Sequence, residues 1–298
     1  MKIKKLLLPL LNPVKWYKAY RYGKKQPLYS RANKDLELQL YGKMLKYDML
    51  HYGYFDDPDI DPETISIRDV ENAQKRYAEV IAEQVNDKSK PILDVGCGMG
   101  GLSHILTEAG YNIEALTPDQ NQKKHIDEKY PEVTCHHTRF EDFRKEKSFG
   151  TIINSESLQY IDLETAFSQV NDLMDEGGKW IITDYFRLVT SGKSKSGHTM
   201  EVFKEAIEKH GWKIDLERDI TPNCLPTLRL INVYIERFAV PGAEFGVEKM
   251  KVKMPWLYYL TKDIRESIAK KADKEFAAVD PQKFAAEKKY MLYVLSRA

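Results

Sequence analysis

The chain has 298 residues, room for one large α/β domain or two small ones. Its 46 Lys and Arg balance 45 Asp and Glu to a formal net charge of +1, which excludes the broad basic field of a nucleic-acid binder. Cys97, Cys135 and Cys224 are too few and too scattered for a disulfide framework or a zinc site, and point to a reducing compartment.

Residues 1–25 carry eight Lys or Arg among Leu, Trp16 and three tyrosines. The start "MKIKKLLLPLLNPVKW" has the basic and apolar parts of a signal peptide. Pro9, Asn12, Pro13 and Lys15 break it and no small-residue cleavage site follows, so it reads as retained. No run reaches the roughly 18 apolar residues of a membrane span. Helix is expected from about 33 to 50 and again from 68 to 86, where Val70, Ala73, Tyr77, Val80, Ile81 and Val85 recur near a 3.6 period. Between them "HYGYF", His51 to Phe55, sets four rings around Gly53 just before the acidic, proline-broken "DDPDIDP".

From Pro91 to Phe186 the pattern alternates. "PILDVGCG" is a strand ending in glycines, and "LSHILTEAG" is a helix with Gly110 as its stop. "YNIEALT" is a strand, and Pro118 and Asp119 open the next helix. "VTCHHTRF" and "GTIINSES" are strands, "LETAFSQVNDLM" a helix, and "EGGKWIITDYF" a turn and fifth strand. Connections this short require crossovers, hence a parallel sheet covered on both faces. "MEVFKEAIEKHGWKIDLERDI" adds helix, glycine turn and strand; 222–289 reads mostly helical; "KKYMLYVLSRA" reads as a last strand.

"LDVGCGMGG" lies between strand and helix, where glycines let backbone approach a ligand. Gly96, Gly98 and Gly100 form G-x-G-x-G, with Asp94 two residues ahead. An acid there would repel a pyrophosphate and suits a cationic or hydroxyl-bearing ligand. "ILDVGCGMGGLS", "FGTIINSESLQYI" and "EGGKWIITDYF", in this order, resemble motifs of the class I S-adenosylmethionine-dependent methyltransferases over about 68–220. The resemblance implies an α/β, doubly wound, seven-stranded Rossmann-like sheet with the last strand antiparallel. It implies four parts: a helical and aromatic N-terminal segment over 1–67, the cofactor-binding core over 68–221, a helical substrate cap over 222–288, and the terminal strand over 289–298.

For the cofactor, S-adenosylmethionine, the resemblance implies backbone around Gly96, Gly98 and Gly100 along its amino-acid part and Asp94 near its ammonium. The usual ribose acid is replaced by Thr117, as in the branch of tocopherol, sterol and cyclopropane-synthase-like enzymes, and Gln122 matches that branch's glutamine. Phe140 and Glu141 would hold the adenine, with Arg139 standing where many members have Asp. "HYGYF" resembles an aromatic segment of the same branch, which assigns Tyr52 and Tyr54 to the cofactor or substrate and His51 to the pocket. Ring faces attract a sulfonium. Alternatively, these rings form a satellite core.

Asn154, Ser155 and Glu156 sit at the end of the fourth strand, facing the ligand crevice. Tyr160, four residues beyond Glu156, would share its face in a helical turn. Glu156 would accept a proton, orient a substrate group or balance a cation; Ser155 or Ser157 would otherwise simply cap the next helix. "NSES" in place of an N-P-P-Y or D-P-P-Y pattern argues against DNA amino groups and glutamine amides, and no metal-ligand spacing is present. The ring-rich 222–289 segment suggests a small apolar acceptor of lipid or isoprenoid type. Cyclopropane-type lipid modification and a non-catalytic assembly role are the alternatives. The basic, aromatic N-terminus fits a peripheral contact of a cytoplasmic protein with the inner membrane surface; packing on its own domain is the competing expectation.

Overall fold

The computed structural model describes residues 12–25, 40, 42–44, 46–49, 51–146, 148–188 and 197–298. The apolar run before Asn12 and most of the helix expected from 33 to 50 lie outside these residues.

In helix α1 (Pro13–Lys25) and the residue before it, Asn12 to Tyr22 and Lys24 are all exposed. Pro13 opens this helix, as suits a first-turn proline. Helix α2 (Ile67–Ala82) begins at Ser66, whose hydroxyl takes the Asp69 N–H while Asp69 returns a bond to the Ser66 N–H. It ends before the expected 86.

The sheet is built from β1 (Ile92–Val95), β2 (Ile113–Thr117), β3 (Thr134–His137), β4 (Phe149–Ser155), β5 (Met174–Arg187), β6 (Trp212–Asp219) and β7 (Lys288–Arg297). Their order is β3-β2-β1-β4-β5-β7-β6. The first five run parallel; β7 lies antiparallel between β5 and β6. The connecting helices are α3 (Gly101–Glu108), α4 (Gln120–Lys129), α5 (Leu163–Leu173) and α6 (Met200–Lys209). Asp119 caps α4 by accepting the N–H groups of Asn121 and Gln122. Asp162, not Ser155 or Ser157, caps α5.

Two apolar layers flank the sheet. On one face Phe149, Phe167, Trp180, Phe203 and Tyr293 pack with α5 and α6. On the other, Tyr77, Ile81, Leu102, Ile153, Ile181 and Tyr290 join α2 and α3 to α7 (Thr221–Tyr234) and α11 (Pro281–Glu287). So the two ends of the segment expected to be a cap are core: Cys224, Leu228 and Phe284 are buried. Its middle runs through a π-helical turn, Ile235–Ala239, into α8 (Val240–Lys253), α9 (Pro255–Leu260) and α10 (Lys262–Ala278), leaving Phe245, Val252 and Tyr259 exposed.

Trp180 anchors the first layer. It is fully buried, meets Phe167 and Trp212 edge-on at 5.0 and 5.7 Å, and donates its indole N–H to Asn154 Oδ1 at 2.8 Å. Trp180→Ala should lower unfolding free energy by about 3–5 kcal/mol, since both a large side chain and the Asn154 partner are lost. Urea unfolding with an unchanged slope checks this.

Candidate active site

The carboxyl ends of β1, β2 and β4 open into one cleft of about 610 Å³. Each wall follows from a local sequence feature. The glycine loop after β1 turns because Gly96 and Gly98 adopt φ of +72° and +57°. A Cβ at Gly96 would sit 2.7 Å from the Ser157 Cβ, so only glycine lets this loop pass the end of β4. Asp94 is completely buried at the floor. Ser103 donates to its Oδ2 at 2.5 Å, while its Oδ1 has no partner. Burial raises its carboxyl to about 6.

Thr117 ends β2 and donates to Gln122 Oε1, and both line the cleft with Asp119. Phe140 and Glu141 close the next edge from a 3-10 turn (Phe140–Asp142). Arg139 at the rim donates to Glu141 at 2.7 Å, which holds that carboxylate below the ordinary range against its own burial.

The fourth wall is a strap, 46–49 and 51–55. A Cβ on Gly101 would lie 2.0 Å from the Tyr47 carbonyl oxygen, so the strap rests directly on the first turn of α3. Asp48, with φ +51°, takes bonds on Oδ2 from Lys129, His125 and Tyr130 at 2.6, 2.8 and 2.9 Å, and its buried Oδ1 has no partner. Further along, Gln74 donates to the Met49 carbonyl, Gly53 N–H to Thr227 Oγ1, and Phe55 N–H to the Asn223 carbonyl. His51 packs on Tyr77 with ring centroids 4.2 Å apart and the rings tilted by 30°. Its buried Nδ1 is unpartnered, and burial drops the imidazole to about 4, so it is neutral.

Glu156 follows β4 in a left-handed conformation, φ +50°, uncommon for a non-glycine residue. Its N–H donates to the Thr183 carbonyl. Tyr290 of β7 donates to Oε1 at 2.7 Å, and the Tyr52 backbone N–H also bonds the carboxyl. Tyr290 is linked at 2.9 Å to Tyr77, whose hydroxyl donates to Thr183. Burial raises Glu156 to about 7. Asp184, buried beneath, is pushed to about 8 by burial and then by Glu156.

The cleft thus collects His51, Asp94, Gly96, Gly98, Thr117, Gln122, Phe140, Glu141, Glu156 and Tyr160. Four expected residues lie outside the lining. Gly100 is the left-handed cap of α3, packed toward Ile126. Asn154 is spent on Trp180 and Ser157. Tyr52 turns its ring toward Phe284 and Tyr290, and Tyr54 lies under Arg76; both pack on the main apolar layer that holds Tyr77 and Tyr290. Tyr160 does not share a helical face with Glu156. Only a 3-10 turn (Leu158–Tyr160) forms there, and the ring is 76% exposed at the mouth. No described residue of 222–288 lines the cleft. Asp48, Met49 and Ser157 line it without having been expected. Asp48 and Met49 lie just before the ring-rich stretch, with Leu50 between, but nothing in their spacing marks them.

The family model described as a methyltransferase domain matches residues 70–231. The chain belongs to this methyltransferase family. An uncharacterized methyltransferase of Alkaliphilus oremlandii (strain OhILAs) is 24% identical over 191 residues, 61% of this chain and 81% of that one. In fold, the chain is similar to geranyl diphosphate C-methyltransferase from Streptomyces coelicolor A3(2), with 16% identity, TM-score 0.62 and coverage of 92% and 100%. It is similar also to the cyclopropane synthase MmaA2 from Mycobacterium tuberculosis, with 13% identity, TM-score 0.64 and coverage of 91% and 100%. The site fits the methyltransferase's cofactor, S-adenosylmethionine. Asp94 offers a buried oxygen awaiting a donor, and the left-handed glycines leave a cradle free of side chains.

S-adenosylhomocysteine at a hundred times its dissociation constant should stabilise the fold by about 2.7 kcal/mol, read as a thermal shift. Asp94 receives an ammonium only when ionised. Its folded value is raised to about 6, so affinity should weaken as pH falls below that value and level off above it. Asp94→Asn should bind weakly and lose this pH dependence, which calorimetry from pH 5 to about 8 would show.

Proposed function

We propose that this S-adenosylmethionine-dependent methyltransferase acts on a small, apolar, uncharged acceptor of lipid or isoprenoid type, with Glu156 as the group that meets it. The charge of the cleft carries this reading. Asp48, Asp94, Asp119, Glu141 and Glu156 line it, and the basic side chain among the lining residues, Arg139, is engaged at the rim by Glu141. A phosphate on the acceptor would face carboxylates with no free counter-charge, an unfavourable burial. Val95, Met99, Leu102, Leu116 and Ile161 supply apolar surface instead.

The bound cofactor supplies an electrophilic methyl group on sulfur. The protein's part is to align the acceptor with it and keep water away. Glu156, poised near 7, can take the proton an acceptor releases as the methyl arrives, because a base works best with a pKa close to the working pH. Tyr290 and the Tyr52 N–H fix the orientation of its carboxyl.

Glu156→Gln should lower turnover by about 100-fold, in the usual range for a positioned base, while S-adenosylhomocysteine affinity is retained. For the acceptor, labelled-methyl assays should favour a neutral isoprenoid or lipid alcohol over its diphosphate ester. Preference for the diphosphate would overturn the reading.

The same reading includes a peripheral membrane contact through residues 1–25. No acidic residue precedes Asp35. Along α1, Lys15, Lys18, Arg21 and Lys24 alternate with Trp16, Tyr17 and Tyr20, all exposed. Such a helix suits an anionic lipid surface, each basic residue adding on the order of 1 kcal/mol. The full chain should sediment with anionic vesicles at low salt, and removal of residues 1–25 should abolish this while the cofactor thermal shift persists. A full chain that ignores such vesicles at every ionic strength would refute the contact.

A further inference from the structure

The glycine loop contains one nucleophile that the methyl-transfer chemistry does not use. Cys97 lies between the two left-handed glycines and lines the cleft. The loop bends back over β2, where the Cys97 N–H donates to the Leu116 carbonyl at 3.1 Å. Across the sheet, Asp94 is in register with Ala115, and Ala115 with Cys135. Cys97 therefore reaches past the small Ala115 side chain toward β3. Its side chain packs on the cluster formed by Ala115, Ile126, Tyr130, Val133 and Cys135. Neither is in a disulfide.

We propose that Cys97 and Cys135 form a dithiol oxidation site that reacts with hydroperoxides to give a disulfide, and that this disulfide and the bound cofactor each weaken the other. Cys97 lines the cleft, so a peroxide entering it meets this sulfur first, and Cys135 lies buried beside it in the same cluster.

The steps balance. The Cys97 sulfur attacks one peroxide oxygen, the O–O bond breaks, and hydroxide leaves to take the thiol proton as water, giving a sulfenic acid. The Cys135 sulfur then attacks Cys97; the S–S bond forms, the S–O bond breaks, and a second water leaves with the Cys135 proton. The thiols lose two electrons and the peroxide gains them. The result ties the glycine loop that lines the cleft covalently to β3, so the disulfide and the ligand act on the same backbone. By linkage, a cofactor disfavoured by the disulfide must itself disfavour the disulfide to the same degree.

The test treats the full chain with hydrogen peroxide, with and without saturating S-adenosylhomocysteine. Peptide mass mapping should find a Cys97–Cys135 crosslink, lighter by two hydrogens. S-adenosylhomocysteine affinity should fall by about tenfold, an ordinary coupling between two sites. Dithiothreitol should restore it, and prior S-adenosylhomocysteine should slow the crosslink. Cys135→Ser, or Cys135→Ala if the serine variant folds poorly, should keep its affinity under peroxide, and Cys224→Ser should behave as wild type. Oxidation that stops at sulfenic or sulfinic adducts, a crosslink to Cys224, or a Cys97–Cys135 crosslink with unchanged affinity would each overturn the proposal. Failure of the reduced protein to bind S-adenosylhomocysteine would instead count against the methyltransferase reading, since the crosslink is scored without it.

Discussion

A carboxyl group withdrawn from water at the end of β4 is the constraint around which the site is organised. Glu156 leaves its strand in a left-handed conformation, and that geometry persists because three separate parts of the chain hold it. Thr183 of β5 takes its N–H, Tyr290 of β7 donates to its carboxyl, and the strap bonds it through Tyr52. The antiparallel insertion of β7 next to β5 is what brings Tyr290 there, in register with Tyr185. Tyr77 then ties α2 to the same hydroxyl chain. One acid thereby couples the sheet's last strand, a flanking helix and the N-terminal strap.

The two halves of the cleft are built on opposite electrostatic terms. On the cofactor side, Asp94 is fully buried with one oxygen unpartnered, so a cationic group gains where water is absent. On the acceptor side, burial keeps Glu156 near neutrality, and Asp184 beneath it raises the energy of a second negative charge. His51 contributes a neutral ring rather than a charge. The strap completes both halves, since Asp48 fastens it to α4 and Gly101 gives it a seat.

Local signals were legible in the sequence; long-range ones were not. The alternation of strand and helix, the glycine loop with Asp94, the Asp119 cap and the antiparallel last strand all follow from periodicity and turn chemistry or from the family resemblance. Asn154 looked like a ligand group at a strand end, but its partner is Trp180, which only the β4–β5 pairing brings close. Tyr160 was placed by assuming a full helical turn where the chain makes a 3-10 turn. The 222–288 segment looked like one cap because its helices are all apolar in part, yet Cys224, Leu228 and Phe284 are core while Val252 and Tyr259 face outward. Asp184 carried a readable signal, an acid inside the otherwise apolar strand "WIITDYF". Asp48 carried none, because Lys129 and Tyr130 are some eighty positions away.

The central claim is that Glu156 shares its proton at neutral pH because of where the fold places it. Infrared difference spectroscopy of the carboxyl stretch, with Glu156→Gln as the subtracted reference, measures this directly. The account predicts a protonated carboxyl band that belongs to Glu156 and disappears with a midpoint near 7. A band that titrates at the ordinary glutamate value of about 4.3 would contradict it.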